Sequence, residues 1–330
     1  MKLSIPPFID LHLHLDGSLS SEVILYIAQT EKIDLPTYDK DELDKLLRCP
    51  INCTSLNDYL RCFSLPNMVL QTSFGLKTAL KDLLRRLSND NVKYVEVRMA
   101  PQLSTLKGLS QEEVVAILVK TMKECEKEYG IISNLILSIM RGNDTHINNI
   151  ETIEVAKKYQ NNKVVAVDLA GAEALYPNEL FESEFNLINK YDLNLIIHAG
   201  EASDYKSVLS AIKYGAKRIG HGVRSIEDNF TLNLIKEKGI YLEICPKSNL
   251  DTKVFNSYLE LPIKSMLDMG IKVTINTDNL TVSSTSLCSE FNHIEALNLT
   301  SQDYQTLLNN SIDASFTSDE EKEILRRYLK

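Results

Sequence analysis

The chain has 330 residues, 44% of them hydrophobic and 25% charged, which excludes a disordered protein and suits one large α/β barrel or two smaller domains. Its formal net charge of −9 disfavours binding to nucleic acid or to an anionic membrane surface. The N-terminus lacks the apolar region of a signal peptide, and no apolar run is long enough to span a membrane. The six cysteines show no paired framework, so we expect a reduced, cytoplasmic protein.

Eight apolar, β-branched runs predict eight strands. They lie near residues 8–13, 94–99, 133–139, 164–169, 194–198, 218–221, 240–245 and 271–277. Amphipathic helical patterns lie between most of them, as at 111–128, 151–160, 205–213 and 228–238. Continuous apolar strands are typical of parallel sheets that are covered on both faces. Eight βα units in about 280 residues therefore predict an α/β fold, a (β/α)8 TIM barrel that forms one domain over residues 1–330.

The long segment between the first two strands predicts a helical insertion over residues 19–90. Its helical patterns lie at about 20–30, 55–64 and 68–88, and the prolines that interrupt them are Pro36, Pro50 and Pro66. An insertion after strand one lies on the catalytic face of a barrel, so we expect a lid, with plain structural padding as the alternative. The segment 287–330 predicts extra C-terminal helices on the barrel exterior.

The first strand carries the most informative pattern, because residues 10–16 read DLHLHLD. In an extended strand His12 and His14 project to one face, and the intervening leucines project to the other. Two imidazoles side by side form half of a metal site, and His198, His221 and Asp278 follow later strands. Imidazole and carboxylate ligands suit zinc. A lone histidine would instead be explained as a hydrogen-bonded core residue, and Cys49, Cys53 and Cys62 lack the second close pair of a zinc knuckle.

Six segments give the sequence a family resemblance from about residue 8 to residue 285. FIDLHLHLDGSL, DLAGAE, HAGE, RIGHG, CPKSN and NTDN, in this order, resemble the adenosine deaminase family of the metal-dependent amidohydrolase superfamily. The resemblance implies that one zinc ion is bound by His12, His14, His198 and Asp278. It further implies catalytic roles for Glu201 and His221, substrate contacts from Asp16 and the backbone N–H of Gly171, and a supporting role for Ser248.

The activity that this resemblance implies is hydrolysis of adenosine, and of 2′-deoxyadenosine, to inosine and ammonia in purine salvage. Adding hydroxide to C6 of adenine moves electron density onto N1. A carboxylic acid near N1, with a pKa raised by burial, can supply the proton, and Glu201 is the candidate. His221 can take the proton of the attacking water or stabilise developing charge.

Two residues depart from much of the family, which has a second aspartate and a proline after the last zinc ligand. Asn279 and Leu280 stand at these positions. N7 of adenine is an acceptor only, so an aspartate must be protonated to donate to it, whereas an asparagine amide donates as it stands. We therefore expect Asn279 to donate to N7.

Other functions stay open at this point. An adenine deaminase would carry glutamate in place of Asp16, and an AMP deaminase would need a cationic cradle, for which only Arg61, Arg98 and Lys107 are candidates. A two-metal amidohydrolase would end strand four with a lysine, and the motifs exclude a cytidine-type deaminase. A non-catalytic nucleoside-binding protein would be expected to have lost Glu201 or a metal ligand. The sequence leaves the oligomeric state undetermined.

Overall fold

The computed structural model describes residues 7–329, and eight parallel strands in sequential order form its centre. The strands are β1 (Phe8–His14), β2 (Val92–Met99), β3 (Ile132–Met140), β4 (Val164–Ala170), β5 (Leu195–Ala199), β6 (Arg218–His221), β7 (Tyr241–Ile244) and β8 (Lys272–Ile275). This arrangement confirms the predicted (β/α)8 barrel. The eighth strand ends earlier than predicted, because the chain leaves the regular ladder at Asn276 on its way to a left-handed residue at Asp278.

The barrel closes through the residues that follow β8. The backbone N–H of Asp278 donates to the carbonyl oxygen of His12 at 2.7 Å, and the N–H of His14 donates to the carbonyl oxygen of Asp278 at 2.8 Å. The side chain of Asn276 accepts a further bond from the N–H of Leu11 at 3.1 Å. The first strand is therefore joined to β2 on one side and to residues 276–278 on the other.

Fifteen α-helices are found in the described part of the chain. They are α1 (Ser21–Glu31), α2 (Lys40–Leu47), α3 (Leu56–Tyr59), α4 (Ser64–Val69), α5 (Ser73–Asn89), α6 (Gln111–Tyr129), α7 (His146–Tyr159), α8 (Glu182–Lys190), α9 (Tyr205–Lys213), α10 (Asn229–Lys238), α11 (Pro246–Asp251), α12 (Ile263–Asp268), α13 (Leu287–His293), α14 (Ser301–Ala314) and α15 (Asp319–Tyr328). No helix within residues 7–329 combines the length and apolar character that crossing a bilayer requires.

Helix α6 illustrates how local sequence sets the element boundaries. Ser110 caps its first turn by accepting from the N–H of Glu113, whose side chain accepts from the N–H of Ser110 in return. Gly130 ends the helix with a left-handed φ of 69°, a conformation that glycine adopts without steric cost. The apolar stripe predicted for this helix is buried against the barrel, as Val114, Leu118 and Met122 show.

The segment between β1 and β2 has two parts. Helix α5 packs against α6 and β2 as the barrel's first outer helix. The helices before it include α2, which the sequence did not indicate because only Leu43 and Leu47 of its eight residues are buried. Pro66 was expected to interrupt a helix, but it lies in the first turn of α4, where its missing N–H removes no helical hydrogen bond.

The C-terminal helices pack against the outside of the barrel, as predicted. Helix α14 contacts β1 and β8, and α15 packs on α14. Ile312 of α14 and Leu325 of α15 join Ile9 and Leu11 of β1 in one buried apolar cluster. This packing covers the outer face of the strand that carries the His12–His14 pair.

Close packing between α4 and α5 can be tested at Gly75, where a β-carbon would lie 2.0 Å from the carbonyl oxygen of Val69. Alanine normally favours a helix over glycine by about 1 kcal/mol. We nevertheless expect Gly75→Ala to lower the free energy of unfolding by about 1–3 kcal/mol, because α4 must shift. Urea unfolding measures this, with Ser73→Ala at an exposed position of α5 as the control. Equal stability of the two variants would contradict the packing described.

Candidate active site

Four potential metal ligands converge at the carboxyl end of the barrel. His12 and His14 come from β1, His198 comes from β5, and Asp278 follows β8. Oδ1 of Asp278 lies 3.5 Å from Nε2 of both His12 and His14. Nε2 of His14 in turn lies 3.4 Å from Nε2 of His198. The structure thus brings together the four ligands that the sequence predicted, although they are up to 266 positions apart in the chain.

Backbone conformation makes room for this cluster. A β-carbon at Gly220 of β6 would lie 3.1 Å from Cε1 of His12 and 3.2 Å from Cγ of His198, so a side chain there would push the imidazoles away. Asp278 and His221 both have a left-handed φ of 61°. Such a conformation costs a non-glycine residue on the order of 1 kcal/mol and is concentrated at functional sites. The two strained residues are thus a predicted metal ligand, Asp278, and a predicted catalytic residue, His221.

Buried carboxylates orient two of the imidazoles. Nδ1 of His12 donates to Oε2 of Glu243 at 3.0 Å, and Nδ1 of His198 donates to Oδ1 of Asp168 at 3.1 Å. Each bond leaves Nε2 unprotonated and directed towards the cluster, which is how metal-binding histidines are held in proteins. Nε2 of His12 is fully buried and has no hydrogen-bond partner. An orphaned buried nitrogen beside a carboxylate fits a bound cation.

The charge on Asp278 also suits a cation. Burial alone would raise the pKa of this carboxyl group, but the imidazoles of His12, His14 and His221 beside it outweigh burial and hold the pKa below its ordinary value. Burial has the opposite consequence for His14, whose pKa it lowers to about 3. At neutral pH the cluster therefore offers a carboxylate and a neutral imidazole, the forms that bind metal.

A network of buried ion pairs supports the ligands from inside the barrel. Arg98 of β2 pairs with Asp168 and with Glu243, and Nε of Arg218 lies 2.6 Å from Oε1 of Glu243. Arg218 also pairs with Glu96. All five side chains are at most 1% exposed. Of the five, only Arg98 had a role suggested from the sequence, as a phosphate contact, although charged residues within otherwise apolar strands were a visible signal.

Glu201 and His221 face each other beside the metal cluster. Oε2 of Glu201 lies 3.5 Å from Nε2 of His221, and both side chains are buried. Burial, followed by the charges of Asp278 and Glu173, raises the pKa of Glu201 well above its ordinary value. Burial and the nearby His12 lower the pKa of His221 well below its ordinary value. Both shifts favour the uncharged forms, a carboxylic acid at Glu201 and a neutral imidazole at His221.

Glu173 fixes the loop that carries Glu201. Its carboxylate accepts four backbone N–H groups in succession, from Gly200, Glu201, Ala202 and Ser203, at 2.7 to 3.1 Å. The loop is held at every residue, so Glu201 is positioned by the backbone rather than by hydrogen bonds of its own. Oε1 of Glu201 has no hydrogen-bond partner and stays free for a substrate.

A cavity of about 300 Å³ opens next to these groups, a size in the usual range for small-molecule sites. The predicted substrate contacts Asp16, Gly171 and Asn279 line it. Gly171 has a φ of 110°, which only glycine adopts readily, so its backbone is exposed to the cavity without a side chain. Burial raises the pKa of Asp16 to about 6. Ser248 is fully buried and does not line the cavity.

The insertion supplies an apolar wall of this cavity, formed by Leu56, Tyr59, Leu60 and Phe63.

The cysteines of the insertion do not line the cavity. The thiols of Cys53 and Cys62 donate to the separate carbonyl groups of Ser55 and Arg48 at 3.4 Å. Within residues 7–329 the sets of side chains close enough to share a metal are all at the barrel mouth, and one of these sets adds the buried Cys245.

Comparisons with known proteins agree with this geometry. Residues 7–330 match the family model described as Adenosine deaminase. The chain belongs to the adenosine deaminase family. It is 44% identical over 330 residues to the adenosine deaminase of Clostridium botulinum (strain Okra / Type B1), across 98% of this chain and 97% of that relative. The adenosine deaminase of Haemophilus ducreyi is 40% identical over 327 residues, across 98% and 95% of the two chains.

A comparison with solved structures finds the same fold in another deaminase. An adenine deaminase from Arthrobacter aurescens superposes with a TM-score of 0.88 at 26% identity, and the match covers 98% of each chain. The predicted membership of the adenosine deaminase family and the predicted hydrolytic deaminase activity are therefore confirmed.

The buried ion pairs inside the barrel can be tested at Glu243. We expect Glu243→Gln to lower the free energy of unfolding of the apoprotein by about 3–5 kcal/mol, because two guanidinium groups lose their shared carboxylate. Metal affinity should fall by about 10–100-fold, because Nδ1 of His12 loses its carboxylate partner. Chelator competition and thermal unfolding measure the two effects.

Glu227→Gln is the control for this experiment, since Glu227 pairs with Arg224 at the protein surface. A Glu243→Gln protein that bound metal and unfolded like the wild type would refute the role given to the network.

Proposed function

We propose that this cavity deaminates adenosine and 2′-deoxyadenosine to inosine and ammonia, with one zinc ion held by His12, His14, His198 and Asp278. The observation that carries the proposal is the meeting of this donor set with a buried carboxylic acid in one cavity. When bound, such an ion supplies hydroxide near neutral pH by lowering the pKa of water to roughly 7.

The proton transfers fall to Glu201 and His221. Attack of hydroxide at C6 places negative charge on N1, and the carboxylic acid of Glu201 donates its proton there. The neutral imidazole of His221 takes the proton of the attacking water at Nε2. His221 returns its proton to the amino group at C6, which leaves as ammonia, and the hydroxyl proton at C6 passes to Glu201, so that inosine remains and Glu201 is protonated again.

Asn249 supports this role of His221. Nδ2 of its side-chain amide lies 3.0 Å from Nδ1 of His221, and its Oδ1 atom has no hydrogen-bond partner. Amide oxygen and nitrogen exchange places by a half turn. With the oxygen towards Nδ1, Asn249 holds the proton on Nδ1, and Nε2 is the basic nitrogen that faces Glu201.

The remaining contacts select a purine nucleoside. We assign a ribose hydroxyl to Asp16, N3 to the backbone N–H of Gly171 and N7 to the amide of Asn279, all of which line the cavity. The apolar wall from the insertion would cover the base. This placement favours a lid function for the part of residues 19–90 that precedes α5. We assign to Ser248, which is buried beneath the cavity, the support of the site.

Within residues 7–329, the three candidate cations and Arg141 do not form a phosphate cradle in this cavity, which favours the nucleoside over AMP. Arg98 is buried in its ion pairs, and the side chain of Arg61 is 82% exposed on the insertion surface. Lys107 is exposed and does not line the cavity. Arg141 does line it, but its guanidinium group donates to the carbonyl oxygens of Tyr176 and His198.

A substrate panel tests the proposed specificity. We expect the zinc-loaded protein to deaminate adenosine and 2′-deoxyadenosine, to act far more slowly on adenine and AMP, and to lose activity in a chelator until zinc is restored. Ultraviolet absorbance and ammonia release follow the reaction. Turnover of AMP without turnover of adenosine would overturn the substrate assignment.

The proton donor is tested by Glu201→Gln. The amide keeps the shape of the carboxyl group but cannot transfer its proton, so kcat should fall by about 10²–10⁴-fold. Zinc content and inosine affinity should stay close to those of the wild type. Glu295→Gln, a substitution at an exposed position that does not line the cavity, serves as the control. A Glu201→Gln enzyme with normal kcat would remove Glu201 from the mechanism.

A further inference from the structure

The side chain of Asn279 is bound by the insertion. Its Nδ2 atom donates to the hydroxyl oxygen of Tyr59 at 3.0 Å, and the Tyr59 hydroxyl lies 2.7 Å from Oγ of Ser283. The three side chains are 2%, 2% and 1% exposed, so water does not compete for these bonds. Asn279 and Tyr59 also line the cavity. A residue of the insertion therefore reaches the candidate N7 contact directly.

In the amide orientation found here, the chain of hydrogen bonds runs from Asn279 to Tyr59 and on to Ser283. The hydroxyl of Tyr59 accepts from the Asn279 amide, so its own hydrogen is left to donate to Ser283. Burial raises the pKa of Tyr59 well above its ordinary value, so the phenol keeps that hydrogen at any physiological pH. An amide nitrogen carries two hydrogens, and the bond to Tyr59 uses one of them.

The other end of the Asn279 amide is fixed by packing. Its Oδ1 atom lies so close to the backbone of Gly17 that a β-carbon on Gly17 would be 1.7 Å away. This oxygen has no hydrogen-bond partner, so Gly17 limits its position sterically. Within residues 7–329, the bond to Tyr59 is thus the hydrogen bond that anchors this amide group.

We propose that Tyr59 is a positioning residue that holds Asn279 with its second N–H available to the substrate, and so selects bases with an acceptor at position 7. This inference rests on the proposed assignment of N7 to Asn279. If the amide turned over, its oxygen would face the lone pair of N7 and repel it. Without the Tyr59 hydroxyl, the nitrogen would lose its acceptor and both orientations would be populated.

Direct binding of two products tests the proposal without relying on turnover. Inosine and 7-deazainosine differ in having a nitrogen or a C–H at position 7. We expect calorimetry to show that the wild type prefers inosine by roughly tenfold, the value of one good hydrogen bond. Tyr59→Phe should reduce this preference to about threefold or less, and Asn279→Ala should abolish it. Affinity for 7-deazainosine should change little in Tyr59→Phe.

The controls separate positioning from packing. Tyr38→Phe removes a hydroxyl from the same insertion, where it donates to the carbonyl oxygen of Ile33 away from the cavity, and should leave the preference unchanged. Ser283→Ala removes the far end of the chain and should reduce the preference partly, even if Tyr59→Phe folds poorly.

Three results would overturn the inference. In the first, Tyr59→Phe weakens the binding of inosine and of 7-deazainosine equally. In the second, the preference for inosine is lost in Asn279→Ala but stays intact in both Tyr59→Phe and Ser283→Ala. In the third, the wild type shows no preference for inosine. Failure to deaminate adenosine would instead count against the proposed function, because the binding ratio is measured independently of turnover.

Discussion

Closure of the barrel between β1 and residue 278 is the constraint on which the site depends. The two backbone hydrogen bonds at this seam join the carbonyl and N–H groups of Asp278 to His14 and His12. They place a carboxylate from the end of the barrel beside two imidazoles from its beginning. His198 reaches the same point from the opposite side of the barrel, where Gly220 leaves space for it. The seam that completes the fold therefore also completes the ligand set.

A divalent cation would explain the excess of buried negative charge inside the barrel. Three carboxylates, those of Glu96, Asp168 and Glu243, are paired with the guanidinium groups of Arg98 and Arg218, and Asp278 instead lies beside the imidazoles of His12 and His14. These four carboxylates outnumber the two guanidinium groups, and a divalent ion would balance the difference. The arginines also limit the movement of the carboxylates that orient His12 and His198. The charge balance and the arrangement of the ligands thus both favour a divalent metal ion at this site.

Much of this could be predicted from the sequence, because strand alternation and strand-end position are local properties. The pairing of His12 with His14 and the places of His198, Glu201 and Asp278 follow from them. The partners of these residues could not be found in the same way. Glu243 meets Arg98 and His12 only through the closed barrel, and Tyr59 meets Asn279 only because the insertion folds over the mouth. Helix α2 was missed because its apolar signal is short, three leucines of which only Leu43 and Leu47 are buried.

Anomalous diffraction at the zinc edge, from crystals of protein purified with zinc, tests the central claim most directly. The account predicts one ion per chain, enclosed by His12, His14, His198 and Asp278 and next to Glu201. The absence of a peak there, a peak at Cys49, Cys53 and Cys62 instead, or a second ion at the same mouth would contradict it.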